Sequence, residues 1–191
     1  KTMKLPYGET PAIDIGIDSP YKDVPVNLLT GTTDQKSSVT IPANWLHPVN
    51  LHGRISVTPG EKFVYQVLVT SDNTVDLAAD VDLCSGENWK AYYAGNFIKA
   101  GNSGRSIVAF QIPEGVDNIL VNTVIMLNDS TAPTIVYWQE EKLEPGTTAS
   151  PWSPNPADPE YNSWYYKMDG TASIPYSGTV PCNQLEQQFA I

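Results

Sequence analysis

The strictest pattern in this chain is an alternation with a period of two. Val75, Leu77, Ala79, Val81 and Leu83 share one side of an extended segment, with Asp76, Ala78, Asp80 and Asp82 on the other. Successive side chains point to opposite faces in a strand, whereas a helix repeats every 3.6 residues. The segment therefore reads as a strand with one buried and one solvated face, as antiparallel sheets have. Phe63, Tyr65, Val67 and Val69 repeat the pattern against Val64, Gln66, Leu68 and Thr70, and residues 106–112, 119–127 and 134–143 continue it. Turn signals separate the runs, at Thr58-Pro59-Gly60-Glu61 and Pro113-Glu114-Gly115. No long segment has helical periodicity, and short helical turns are expected only near 86–91 and in the tail. Strands at this spacing predict an all-β fold, an antiparallel β-sandwich.

Texture divides the 191 residues into three. Residues 1–25 carry Pro6, Gly8, Pro11, Pro20 and Pro25 and read as an arm with a strand over 12–17. Residues 26–158 hold the sandwich. Residues 159–191 read as an extension that packs on it or leads to a neighbour. The opening Lys1-Thr2-Met3 is read as a fragment of a longer polypeptide. Charged residues make up 17% of the chain, so Ser, Thr, Asn and Gln must supply much of the polar surface, which suits neutral ligands. Eleven basic residues against 21 acidic ones, a formal charge of -10, argue against nucleic acid as a partner. No apolar run is long enough for a membrane span. Cys84 and Cys182 are expected to be reduced thiols, and no Cys/His group has zinc-ligand spacing.

One stretch is more specific. Residues 142–158 follow K-L-E-x-G-x-x-A-x-x-W-x-P-x-P-x-D. This resembles the ending of jelly-roll modules in tail proteins of phages that infect Gram-positive bacteria. Asn27-Leu28-Leu29 looks like the opening of the same modules, and Pro113-Glu114-Gly115-Val116 like one of their turns. The resemblance spans about residues 26–158. It implies a jelly-roll sandwich related to the sugar-binding modules of glycoside hydrolases, to which the texture of the chain adds extended arms at both ends. It further implies a place in the virion tail, other tail proteins as partners, and a host cell-wall polysaccharide as ligand. A structural calcium is the one cofactor it implies, without a residue set. Within the ending, Gly146 permits a positive-φ turn, and Trp152 is expected to anchor the chain on the sandwich.

A sugar ring needs an aromatic platform edged by groups that both donate and accept hydrogen bonds. The strongest candidate cluster is Asn88, Trp89, Tyr92 and Tyr93 with Asn96, expected in a loop after Cys84-Ser85-Gly86-Glu87. Rings in a loop are harder to explain by core packing, though they would also serve to cover an edge of the sandwich. Trp45 and His47, between Pro42 and Pro48, are the second candidate; there Trp45 would otherwise plug one end of the core. Third is the strand face bearing Asp80 and Asp82, with Arg54 and Arg105 near enough in pattern to pair with them. A solvated charged face is the ordinary explanation of that group. Glycoside hydrolysis needs two carboxylates at a controlled separation, and no motif marks such a pair. Neither G-x-S-x-G nor H-E-x-x-H occurs. Three functions follow in order: non-catalytic binding of a cell-wall saccharide, a structural spacer of the tail, and a wall-degrading enzyme.

Overall fold

The computed structural model describes residues 12–13, 21, 24–44, 52–122, 124–126, 131–158, 164–168, 172–176 and 180–181. The chain forms two units. One is Val24–Ala157; the other combines Lys1–Asp23 with Asp158–Ile191. Strands are numbered along the chain. In the second unit β1 (Ala12–Ile13) pairs antiparallel with β14 (Val180–Pro181), and β12 (Trp164–Met168) with β13 (Ala172–Tyr176).

Val24–Ala157 is the antiparallel sandwich that the alternation predicts. One sheet has the order β2 (Ser37–Ile41), β11 (Thr134–Pro145), β4 (Lys62–Val69), β8 (Gly104–Gln111). The other runs β3 (Arg54–Ser56), β9 (Asn118–Val121), β6 (Asp80–Ser85), β7 (Asn88–Ala94). A short pair, β5 (Leu77–Ala78) with β10 (Ile125–Met126), completes the unit. Inward residues of both sheets meet in one core. Tyr65, Val67 and Val69 of β4, Val108 and Phe110 of β8, and Val81 and Leu83 of β6 all belong to it. Among the described residues there is no helix.

Three expectations are corrected. The alternating run 75–83 is not one strand. It breaks at Ala79, whose N–H donates to the Ser106 hydroxyl at 2.8 Å while its carbonyl accepts from Gly95. Residues 86–91 make no helical turn: Gly86 and Glu87 turn a hairpin, and Asn88 already belongs to β7. Asp80 is not on a solvated face but fully buried, with the Asn122 amide donating to it at 3.1 Å.

The opening and ending of the sandwich are stitched together by one buried side chain. The Asn27 amide nitrogen donates to the Thr32 hydroxyl (3.0 Å) and to the carbonyls of Glu141 (2.9 Å) and Ser153 (3.0 Å). Its oxygen accepts from the backbone N–H groups of Leu29 and Leu143, both at 3.1 Å. Asn155 returns the favour by donating to the Asn27 carbonyl at 2.7 Å. Gly146 takes a φ of 130°, open to glycine alone without strain, and the chain then folds back over the outer face of the first sheet. There Lys142 and Glu144 are buried. The Lys142 ammonium donates to the Ser150 hydroxyl (2.7 Å) and the Pro151 carbonyl (2.8 Å), with Glu144 at 3.3 Å. Trp152 is half-buried and its indole N–H donates to Thr32, as befits an anchor.

Candidate functional site

Among the described residues, the β6–β7 hairpin carries the exposed rings of the sandwich. Trp89 is 60% exposed, Tyr92 50% and Tyr93 37%. They stand on an edge strand rather than in the loop expected, and a bulge decides where they point. Leu83 pairs with Ala91 but Cys84 pairs with Trp89, so β7 has one residue more than β6 at Lys90. Residues three apart on a regular strand face opposite ways. The extra residue cancels that, and Trp89 and Tyr92 share the outer face. Trp89 lies opposite Cys84 and Tyr92 opposite Asp82, two residues apart on β6, which sets their backbone positions about 7 Å apart along the strand. Tyr93 turns inward and packs on Phe110, ring centroids 5.7 Å apart.

The Trp89 ring is fixed although it is exposed. Its indole N–H donates to Asp82 Oδ1 at 2.8 Å, and Asp82 Oδ2 accepts from the Asn122 amide at 2.5 Å. The turn below is held as firmly. Arg54 donates to the Gly86 carbonyl (3.1 Å), to Asn118 Oδ1 (2.8 Å) and to Glu87 (2.9 Å). Asp117 accepts the Gly86 N–H on both oxygens, at 2.9 and 3.2 Å. That bond, then the one from Asn118, holds the Asp117 carboxyl below its ordinary value. Across the outer face the register aligns Arg54, Leu120, Asp82 and Tyr92 in one row, and Ser56, Asn118, Cys84 and Trp89 in the next. The far end of β7 is pinned by Gly95, where a Cβ would meet the Ser106 hydroxyl at 2.7 Å and the Ile107 carbonyl oxygen at 2.8 Å.

Of the residues nominated from sequence, the structure brings Trp89, Tyr92, Asp82 and Arg54 onto one face. Asn88 sits at the turn, its amide 3.5 Å from the Ser85 carbonyl. Asn96 bridges to β8 instead, donating to the Arg105 carbonyl (3.1 Å) and accepting from Ile107 N–H (2.9 Å). Trp45 and His47 lie outside the described residues. Arg54 and Arg105 do not pair with Asp80 and Asp82; their carboxylate partners are Glu87 and Glu140. Cys84 is a free, buried thiol, and Cys182 lies outside the described residues. Asn118 and Asn122 join the face although nothing in their sequence context marks them. Among the described residues no three His, Cys, Asp or Glu side chains converge as a metal-binding group would.

A second buried polar cluster lies inside the sandwich. A bulge between Gln139 and Lys142, with Glu140 at φ 56°, turns Glu141 inward. Its carboxylate accepts from the Tyr65 hydroxyl (3.2 Å) and the Trp138 indole (2.9 Å), and His52 lies 3.1 Å away. Burial, and then the charge of Glu141, push the Tyr65 hydroxyl well above its ordinary pKa. This cluster braces the interior and is not open to a ligand.

No family model and no curated protein matches the chain. Solved structures do. A CBM4 module matches with a TM-score of 0.41 and 16% identity over 73% of this chain and 81% of that one. The tripod from the baseplate of bacteriophage Tuc2009 matches at 0.44 and 16%, covering 70% of this chain and 59% of the other. The enzymatically active domain of a tailspike protein of bacteriophage CBA120 matches at 0.40 and 12% over 63% of this chain. Carbohydrate-binding modules and phage tail proteins are among the structural neighbours. The chain spans 22% of the tailspike chain that it matches.

Proposed function

We propose that the Trp89–Tyr92 face binds a saccharide without breaking a bond. The observation that carries this is an indole that is exposed and yet held in one orientation by Asp82. A solvent-facing Trp ring has no packing reason to be held, whereas a stacking platform gains from being ordered before its ligand arrives. Tyr92 extends the apolar surface beside it, and Asp82 and Arg54 rim it with an acceptor and a donor that suit hydroxyl groups. Asp82 has both oxygens engaged, by Trp89 and Asn122, which suits a bracket better than a catalytic acid. The ending at 142–158 supports a phage-tail setting through its resemblance. In that setting the ligand is a cell-wall polysaccharide of the host, the neighbours are other tail proteins, and weak sites repeated around a tail gain avidity.

Titration of the protein with purified cell-wall polysaccharide from Gram-positive hosts tests the reading. Saturable binding is expected, and Trp89→Ala should abolish it while leaving the protein folded, as a change at a solvent-facing side chain outside the core should. Binding that survives W89A, or no binding to any wall fraction, overturns it.

A further inference from the structure

We propose that Asn122 is a positioning residue for the aromatic face: it touches no ligand, and it orders the Trp89 ring through Asp82. This rests on the stacking role given to Trp89 above. Asn122 is buried just beyond the end of β9, on the strand beside β6. Its backbone N–H donates to the Asp80 carbonyl at 3.1 Å, which fixes where its side chain starts. Its amide nitrogen has two protons and serves two carboxylates, Asp80 Oδ2 at 3.1 Å and Asp82 Oδ2 at 2.5 Å. Asp80 is fully buried, so this amide is anchored from the interior side. Asp82 is only partly buried and belongs to the strand that carries the rings. With Oδ2 held by Asn122, Oδ1 stays turned to the Trp89 indole N–H.

The chain Asp80–Asn122–Asp82–Trp89 therefore runs from a buried, rigid group to an exposed ring. Remove Asn122 and the carboxylate of Asp82 is free to rotate, with solvent available to its second oxygen. The ring then has to be ordered by the ligand. Ordering one large side chain on binding weakens affinity by about three- to tenfold.

The test uses the full chain, labelled with ¹⁵N and without glycan. The order of the Trp89 indole N–H is measured in the native protein and in Asn122→Leu, with Trp89→Phe identifying the resonance. Increased motion of that indole in N122L is expected. An indole as ordered in N122L as in the native protein overturns the proposal whether or not any glycan binds. N122S is too short to reach Asp82 and carries the same expectation should N122L not fold. In titration with wall polysaccharide, N122L and W89F should each bind three- to tenfold more weakly, and the double variant no more weakly than the worse single one, since both remove the same tie. Losses that multiply show that Asn122 acts by another route, and overturn the proposal. Absence of binding in the native protein sinks the stacking role alone, because the indole measurement stands apart from it.

Discussion

Asn27 is small and polar, yet it sits fully buried with five bonds to its side chain. A buried donor or acceptor left without a partner costs about 1–3 kcal/mol, and Asn27→Ala strands several at once. Stability to urea should fall by at least about 2 kcal/mol. Asn27→Asp keeps the acceptor but turns a carboxylate onto the oxygens of Thr32, Glu141 and Ser153, so it should not rescue the loss. A midpoint unmoved in either variant would show that the stitch is dispensable. Sequence marks Asn27 only through the resemblance of its Asn-Leu-Leu opening; it holds no sign of three of the partners, Glu141, Leu143 and Ser153, which lie more than a hundred positions away. Trp89 and Tyr92 were legible as rings without a place in an alternating run. Asn122 was not legible at all, since a lone polar residue at the end of a strand has no periodicity to violate.

At the level of elements, period two identified β4, β8 and β11 because each has one face in the core and enough length to show it. It missed β7, whose seven residues are all exposed. An edge strand whose inward residues stay exposed shows no apolar alternation. It also missed both bulges, which shift the phase of the pattern without a residue type of their own, and those bulges place Trp89 outside and Glu141 inside. The hairpin makes a pH prediction of its own. The Gly86 N–H and then Asn118 hold the Asp117 carboxyl below the ordinary value of 3.8. The folded state thus favours the charged form more than the unfolded chain does. That contribution is complete above 3.8 and is lost as pH falls through the depressed folded value. The side-chain carboxyl of Asp117 should titrate below 3.8 by NMR, and Asp117→Asn should remove that part of the acid dependence of the hairpin. A midpoint at or above the ordinary value would contradict the geometry.

Over the whole sandwich, the ending is a closing strap rather than a loose tail. Lys142 and Glu144 point out of the first sheet and are sealed beneath the segment around Ser150 and Pro151. Burial pushes the Lys142 ammonium below its ordinary pKa, and Glu144 opposes that shift. Removing one member of a buried pair leaves the other charge uncompensated, at about 3–5 kcal/mol, whereas replacing both with apolar groups is often near neutral. Denaturant unfolding should therefore show Lys142→Met as strongly destabilising and K142M with Glu144→Leu as much milder. Equal losses in the two would mean that packing or the bonds to Ser150 and Pro151, and not charge pairing, hold the strap.

The bond from Asn155 to the Asn27 carbonyl holds the opening and closing segments of Val24–Ala157 close together. A compact body whose chain ends lie close together can be inserted into another chain with little disturbance. Such a body is gained, lost or exchanged between longer chains while the path of the surrounding backbone stays as it was.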